Sequence, residues 1–298
     1  MTQKRAKWIL LVLLGFGIIF LSGVNRFLPS QAAISEGIGY KVTITEKPHS
    51  AIHAVTIPRD SPYLVSPAVS GELRPIEDFA ASENTVAAIN GGYFDPVNQK
   101  TTSFVVQKSR IVADPRFNER LIDNQDLQQY LGKILNRAEF RVYVCDDRIQ
   151  YDIQPHSAPI PANCTLKSSL GGGPSLLPQN TSVAEAFTAY QDGKQIRNAI
   201  GSDSLNARSA VAITNAGDII LAMVAQQSDR PSNSGTTLSE LTNFLSSQGA
   251  VKAMNLDGGS SASLYYDGRA IYGRVNAEGN KIQRPIKSAL LVNRNRSF

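Results

Sequence analysis

The 298-residue sequence contains few of the residues that build metal and nucleophile sites: 2 cysteines, 3 histidines and 1 tryptophan. His49, His53 and His156 have no ligand spacing, so a zinc site is not expected. The sequence also lacks a Gly-Lys-Ser/Thr phosphate loop, a strand-linked GxGxxG and a GxSxG elbow. These absences argue against a P-loop NTPase, a Rossmann dinucleotide site and an α/β-hydrolase serine.

The formal net charge of +5 does not predict nucleic-acid binding. Lys4, Arg5, Lys7 and Arg26 lie in the first 32 residues, which contain no acidic residue. Without those four, 26 of the 30 basic residues remain to face 25 acidic residues. Since no basic stripe with interleaved aromatic residues is left, nucleic acid is not an expected partner.

The N-terminus has the pattern of an export segment. A basic flank precedes Trp8–Val24, which is uncharged, and Ser30-Gln31-Ala32 offers small residues for cleavage. This run suits either a cleaved signal peptide or an uncleaved membrane anchor, and the sequence leaves both open. Either way the basic flank keeps the N-terminal end in the cytoplasm, so the rest of the chain is predicted to be exported to the periplasm or the cell exterior.

Export also bears on the two cysteines, Cys145 and Cys164. In an oxidising compartment, two cysteines in one chain pair more often than they stay free. The sequence therefore predicts a Cys145–Cys164 disulfide.

The pattern after residue 32 predicts one α+β domain, a single strand-rich mixed α/β unit over residues 33–298. Alternating or fully apolar segments predict strands at 40–45, 52–57, 86–89, 103–107, 110–112, 140–145, 209–214, 218–225, 251–256, 263–266 and 288–292. Helices are predicted at 76–82, 183–190 and 238–247, and residues 114–137 as polar and partly helical. Residues 58–67 are predicted as a loop.

Three glycine-rich breaks follow apolar stretches and predict one site built from several strand ends. Glycine lets backbone N–H groups approach a ligand, and successive free N–H groups make nests that hold anionic oxygens. Taken singly, each break is more simply a tight turn. The candidate substrate-binding residues are Asn90, Gly91, Gly92, Gly171, Gly172, Gly173, Asn255, Gly258, Gly259 and Ser260.

Three charged residues near these breaks are candidates for catalysis. Asp257 lies between an apolar strand and Gly-Gly, where it suits either a catalytic carboxylate or an Asx turn. Asp95 precedes Pro96 and suits either a partner carboxylate or a turn. Arg208 enters a strand and suits bidentate phosphate recognition or a solvated surface position. Glu240 belongs to a Thr237–Glu240 capping box, which explains it without catalysis.

The ordered set of motifs resembles the phosphodiester glycosidase family, which includes the lysosomal uncovering enzyme. The resemblance covers roughly residues 80–293 and is carried by residues 88–94, 171–176, 208–210 and 255–261, the last being Asn-Leu-Asp-Gly-Gly-Ser-Ser. Ser209 replaces the family's more usual Thr, and Ser260 replaces a third Gly. Residues 114–163 match nothing in the family pattern.

The resemblance implies hydrolysis of a sugar-1-phosphodiester at the glycosidic bond, on an envelope or extracellular glycan such as an exopolysaccharide. Under this hypothesis, Arg208 and the amides of residues 171–173 hold the phosphate, Asp257 acts as nucleophile or base, and Asp95 is its partner. Asn90 and Asn255 orient sugar hydroxyls. The alternatives are a non-catalytic glycan-binding envelope module and a metal-dependent phosphodiesterase. The latter would hold Ca²⁺ or Mg²⁺ on oxygen ligands of Asp257, Asp95, Asn90 and Asn255.

Overall fold

A computed structural model describes residues 37–46 and 49–294. They belong to a compact unit, Ala33–Phe298. The export segment predicted at residues 1–32 lies outside the described residues. Within the described ranges, no helix is long and apolar enough to cross a membrane.

Strands dominate the described residues. They are β1 (Gly39–Glu46), β2 (His49–Ile57), β3 (Tyr63–Arg74), β4 (Thr85–Asn90), β5 (Val105–Gln107), β6 (Arg110–Ala113), β7 (Ala138–Cys145), β8 (Arg148–Pro155), β9 (Cys164–Gly171), β10 (Ser175–Leu177), β11 (Thr188–Gln191), β12 (Lys194–Asn198), β13 (Arg208–Thr214), β14 (Ile219–Ala225), β15 (Ala250–Asn255), β16 (Ser263–Tyr266), β17 (Arg269–Tyr272) and β18 (Ile286–Arg294). The α-helices are α1 (Ile76–Phe79), α2 (Glu119–Ile122), α3 (Leu131–Ile134) and α4 (Leu238–Ser247). Short 3-10 helices span Pro115–Phe117, Gln125–Tyr130 and Gly259–Ser261.

The strands form three larger sheets and one hairpin. The first sheet has the order β1-β2-β14-β13-β15-β10, the second β17-β16-β4-β18-β3 and the third β6-β5-β9-β7-β8. Strands β11 and β12 pair only with each other. Every strand pair is antiparallel.

One hydrophobic core is shared by the three sheets. Met223 of the first sheet, Ile89 of the second and Phe140 of the third all belong to it. The first sheet is also covered on its other face, where α4 packs Leu241 against a second apolar cluster. Strand β14 is therefore buried on both faces, which explains why it has no polar alternation.

The structure confirms most of the predicted elements, including the strand-rich architecture and the Thr237–Glu240 capping box. Two predictions were wrong. The helix predicted at 183–190 is absent, since residues 183–187 form turns and β11 begins at Thr188. Ala186 has φ 56°, which an α-helix cannot contain. The predicted loop at 58–67 ends early because β3 begins at Tyr63. Pro67 is tolerated there because β3 is an edge strand.

The predicted disulfide between Cys145 and Cys164 is present. It joins neighbouring strands of the third sheet, where the two residues lie directly opposite each other. The bond closes the excursion that contains β8, and so ties the end of β7 to the start of β9. Because β9 ends at Gly171, the disulfide anchors the far end of a strand that leads into the glycine-rich break.

Replacing both Cys145 and Cys164 by Ser should lower the free energy of unfolding by about 3 kcal/mol, because the unfolded chain regains the entropy of a loop of this length. Denaturant unfolding measures this. A reducing agent should produce the same loss in the wild type and none in the double variant. Equal stability of the oxidised and reduced wild type would contradict the prediction.

Candidate functional site

The ends of one strand from each sheet meet at the glycine-rich breaks. The chain leaving β9 and the end of β15 exchange hydrogen bonds, since Gly173 N–H donates to Asn255 O (2.9 Å) and Asn255 N–H donates to Pro174 O (3.0 Å). The chain leaving β15 then reaches β4, where Asp257 N–H donates to Gly91 O (3.0 Å). The predicted breaks after residues 90, 171 and 255 therefore lie together in space.

The glycines at this junction are required by close contact. An added Cβ would lie 2.4 Å from Ser288 Oγ at Gly91, 2.1 Å from the Gly171 carbonyl oxygen at Gly92, and 2.9 Å from the Asn255 carbonyl oxygen at Gly172. Real Cβ atoms do not come that close to backbone. Glycine is therefore the residue that lets the three strand ends pack against each other.

The backbone N–H groups that were predicted to bind phosphate form hydrogen bonds within this junction. Gly171 N–H donates to Phe104 O (2.8 Å), Gly172 N–H to Ala138 O (2.9 Å) and Gly173 N–H to Asn255 O (2.9 Å). These three amides are therefore engaged within the protein, and a phosphate nest at residues 171–173 stays a prediction. Gly91 and Gly259 N–H groups are likewise engaged, with Ser288 O and Ala207 O.

Asn90 is a buried link between the sheets. Its side chain has no exposed surface. Nδ2 donates to Asp257 O (2.6 Å), while Oδ1 accepts from Ser209 Oγ (2.6 Å) and from Ser263 N–H (3.0 Å). Asn90 thus fixes the backbone of Asp257, and the hydroxyl at position 209 serves that link. These contacts place Asn90 beneath the site, whereas the sequence-based hypothesis had it orient a sugar hydroxyl.

Asn255 and Tyr93 form a second polar pair. Asn255 Nδ2 donates to Tyr93 Oη (2.7 Å) and to Leu256 O (2.6 Å), and Tyr93 Oη donates to Gly173 O (2.8 Å). Asn255 Oδ1 is buried and lacks a hydrogen-bond partner among the described residues. Burial and the nearby Asp257 carboxylate raise the pKa of Tyr93, so it remains a neutral hydrogen-bond donor.

Asp257 is the carboxylate at the centre of the junction. It is partly exposed, and its desolvation raises the pKa to about 6, against the lowering effects of Ser261, the Arg284 charge and the Gly258 N–H group. A carboxyl group with its pKa near 6 exchanges protons close to neutral pH. Perturbed carboxyl groups of this kind are typical of functional sites.

Arg284 is the cation whose charge acts on this carboxylate. Its guanidinium donates to Ser260 Oγ (2.7 Å), lies 5.2 Å from the centre of the Phe94 ring and remains partly exposed. Ser260 therefore has a specific contact at the position where the family pattern has glycine. A partly exposed, anchored arginine beside a carboxylate is suited to hold a phosphate oxygen.

Arg208 is placed differently from the prediction. It is almost completely buried, and its guanidinium donates to the backbone oxygens of Thr236 (3.1 Å), Ile200 (2.9 Å), Gly201 (2.5 Å) and Ser204 (2.8 Å). These contacts give Arg208 a structural role, and its role in binding phosphate stays a prediction. The same contacts hold residues 200–206 and 236 around the start of β13.

Asp95 is the acid that begins a turn. It accepts from Val97 N–H (2.7 Å) and from Arg120 Nε (2.8 Å). Partial burial raises its pKa, but these hydrogen bonds and the Arg120 charge outweigh that effect and hold the pKa below its usual range. The turn interpretation explains these contacts, and a partnership with Asp257 stays a prediction.

Arg137 and Glu185 flank the glycine-rich loop. The Arg137 guanidinium lies 3.7 Å from the Phe187 ring centre, and Nε donates to Glu185 O (3.1 Å). Burial lowers the pKa of Arg137 to about 10, so it stays cationic at neutral pH. The Glu185 carboxylate accepts from Ala138 N–H (3.0 Å), Ser175 N–H (2.9 Å) and the Thr181 hydroxyl, so it fixes the loop.

The oxygen ligands suggested for a divalent cation do not converge as a set. Asn90 Oδ1 is engaged by two donors and Asp95 is paired with Arg120. In the part of the chain that the structure describes, no group of three or more His, Cys, Asp or Glu side chains could hold a metal ion.

Comparison with known protein families identifies the family to which this chain belongs. A model of the phosphodiester glycosidase family matches residues 83–293. The chain belongs to this family. The match begins just before β4 and ends at the penultimate residue of β18, so it includes all three strand ends of the junction.

Solved structures share the fold of this phosphodiester glycosidase family member. The catalytic domain of zebrafish N-acetylglucosamine-1-phosphodiester alpha-N-acetylglucosaminidase, auto-inhibited by its pro-peptide, is 17% identical, with a TM-score of 0.59 over 86% of this chain and 82% of that one. A hypothetical protein from Synechocystis is 18% identical, with a TM-score of 0.56 over 87% of this chain. This chain spans 62% of the Synechocystis protein's length. No curated protein matches the chain.

Sequence reasoning missed three residues of the candidate site. Tyr93 lies in the motif of residues 88–94 but has no predicted role, and Arg137 lies in residues 114–163, for which the sequence predicts no role. Arg284 lies in Gln-Arg-Pro before β18, without any motif to mark it. The only sequence signal for Arg284 is a basic residue before a proline, and this pattern is common in loops.

Asn90→Ala should lower the free energy of unfolding by roughly 3 kcal/mol, because it leaves buried groups on three segments without partners. Denaturant unfolding at pH 7 measures the change. Asn233→Ala, at an exposed loop position, is the matched control and should be close to neutral. A loss below 1 kcal/mol for Asn90→Ala would show that the link is dispensable.

The raised pKa of Asp257 predicts a pH-dependent stability. Between pH 3.8 and about 6 the unfolded chain has released this proton while the folded protein retains it, so this contribution to stability falls as pH rises. The difference in free energy of unfolding, Asp257→Asn minus wild type, should therefore be larger at pH 7 than at pH 4. The expected increase is roughly 1–3 kcal/mol in favour of the variant. Thermal unfolding of both proteins across this range measures the difference. A constant difference across the range would mean that the pKa of Asp257 is not raised.

Proposed function

We propose that this protein hydrolyses a sugar-1-phosphodiester at the glycosidic bond, releasing a sugar and a phosphomonoester. The observation that carries the proposal is Asp257, a partly exposed carboxyl group with its pKa raised to about 6 beside Arg284. Membership of the phosphodiester glycosidase family supports the reaction class. The zebrafish structure supports the fold on which that chemistry takes place.

In the proposed reaction, Asp257 acts on the anomeric carbon. At neutral pH a carboxyl group with a pKa near 6 is ionised, and it either takes a proton from the attacking water or attacks that carbon itself, forming a glycosyl ester that water then hydrolyses to release the sugar. The new bond forms between oxygen and the anomeric carbon. The bond from that carbon to the phosphate oxygen breaks, and its electron pair stays on the phosphate.

The leaving group explains why one carboxylate is enough. Most glycosidases pair a base or nucleophile with a second carboxyl group that protonates the leaving oxygen. A phosphomonoester departs as a stable anion and needs less protonation than an alkoxide. Asp95 and Glu185 are both held by hydrogen bonds, and Arg284 is positioned to stabilise the charge that develops on the phosphate.

We place the substrate outside the cytoplasm, on an envelope or extracellular glycan. The N-terminal pattern of residues 1–32 motivates this proposal. The Cys145–Cys164 disulfide supports it, because disulfides persist in oxidising compartments.

Asp257→Asn should reduce kcat on a synthetic sugar-1-phosphodiester at least a hundredfold. Arg284→Ala should cost about 2.7–4 kcal/mol in the barrier, which is roughly a hundredfold to a thousandfold in rate, since one charge stabiliser is lost. In the wild type, kcat/KM should rise through about pH 6 as Asp257 ionises. Steady-state kinetics of released phosphomonoester measure all three.

Arg269→Ala, at an exposed arginine on β17, is the matched control and should keep wild-type kinetics. Near-normal turnover of Asp257→Asn would remove that residue from the mechanism. Saturable glycan binding without any product would instead favour a binding module. Activity that disappears in chelator and returns with Ca²⁺ or Mg²⁺ would favour a metal-dependent phosphodiesterase.

A further inference from the structure

A surface groove lies beside the glycine-rich loop. It has a volume of about 280 Å³ and lies between the segment that contains α3 and the β11–β12 hairpin. Its lining includes Tyr130, Lys133, Val183, Tyr190 and Ile196, and we call it the Tyr130–Tyr190 groove. One wall comes from Gln129, Tyr130 and Lys133, and the other comes from Val183 and the β11–β12 hairpin.

The groove exposes aromatic and apolar surface. Tyr190 is 54% exposed, while Val183 and Ile196 are each 52% exposed. The Tyr190 hydroxyl accepts a hydrogen bond from Gln195 Nε2 (3.1 Å), which helps to orient the ring. Exposed tyrosine rings with polar neighbours suit a sugar, whose C–H face packs on the ring while its hydroxyl edge bonds to polar groups.

The charge of the groove is positive. The Arg197 guanidinium lies 4.9 Å from the Tyr130 ring centre and donates to Ala186 O (2.7 Å), and Lys133 is exposed in the lining. Among the described residues, neither Arg197 nor Lys133 has a carboxylate oxygen within 4.0 Å. Two cations without an acidic partner favour an anionic ligand.

The groove is linked to the Asp257 site through two arginines. Arg197 Nε donates to Ala186 O (2.7 Å) and Arg137 Nε donates to the neighbouring Glu185 O (3.1 Å). The Arg137 guanidinium in turn lies 5.9 Å from the centre of the Tyr93 ring. The backbone gives a second connection, because Ala186 in the groove follows Glu185, whose carboxylate holds Ser175 just after the glycine-rich loop.

We propose that the Tyr130–Tyr190 groove binds an anionic saccharide chain on the leaving-group side of the scissile phosphate. The sugars pack on Tyr130 and Tyr190, and Lys133 and Arg197 attract the negative charge. This inference rests on the proposed function, since the chain is the part of the substrate that departs with the phosphate. The substrate class is therefore a phosphodiester attached to an anionic oligosaccharide rather than to a small alcohol.

The kinetic test compares two substrates of the full-length protein: a sugar-1-phosphodiester of methanol and one of a phosphorylated maltotetraose, whose own phosphate is on the glucose farthest from the diester. Tyr190→Ala and Lys133→Ala should each raise KM for the long substrate at least tenfold and leave both kinetic constants for the methyl substrate unchanged. Tyr40→Ala, an aromatic residue of the edge strand β1, is the matched control. Equal KM values for wild type and Tyr190→Ala on the long substrate would overturn the inference while leaving the proposed function intact.

A binding test makes the outcome independent of catalysis. Calorimetry with phosphorylated maltotetraose itself should show affinity in the wild type and at least tenfold weaker affinity in Tyr190→Ala. Unphosphorylated maltotetraose should bind at least tenfold more weakly to the wild type. If neither substrate is hydrolysed but this pattern holds, the proposed function fails and the groove stands. Equal affinity of Tyr190→Ala and wild type, or concentration-dependent dimerisation that Tyr190→Ala abolishes, would overturn the inference.

Discussion

The arrangement of the site depends on how closely three strand ends approach each other. Gly92 and Gly172 have no room for a Cβ because backbone from another sheet occupies that space, and at Gly91 the space is occupied by Ser288 of the neighbouring strand β18. This close approach lets one strand end hydrogen-bond to the next. Asp257 follows β15 in the chain, and its N–H group is held by Gly91 O at the end of β4. Such preorganisation matters for catalysis because a charged group that is already in place needs no further ordering when the substrate reacts.

A buried polar network at this junction fixes the position of the Asp257 carboxylate. Asn90 holds the backbone oxygen of Asp257, while Asn255 and Tyr93 hold the chain on its other side. These groups are buried or partly buried, and together their hydrogen bonds determine where the Asp257 side chain lies. Its desolvation raises its pKa, and Arg284 opposes that rise without cancelling it. Packing therefore sets both the position and the proton affinity of the proposed catalytic group.

The sequence predicted the strands and the meeting of the breaks better than the roles of single residues. Strand β14 and the Thr237 cap have local signals, namely a continuous apolar run and a side chain three residues from its partner. The turn at 183–187 has no such signal, because tertiary contacts of Glu185 determine it. The surroundings of Arg208 and of the glycine amides were unforeseen for a related reason. A motif shows which residues matter, but whether a donor faces a ligand or a neighbouring carbonyl depends on distant strands.

The proposed reaction breaks one bond, the bond between the anomeric carbon and the phosphate oxygen. Asp257 is proposed to act on the carbon side of that bond and Arg284 on the phosphate side. Hydrolysis of a synthetic sugar-1-phosphodiester in oxygen-18 water, followed by mass spectrometry of both products, tests this division directly. The account predicts that the heavy oxygen enters the released sugar and that the phosphomonoester stays unlabelled. Heavy oxygen in the phosphate would contradict it and would assign the site to phosphorus–oxygen cleavage.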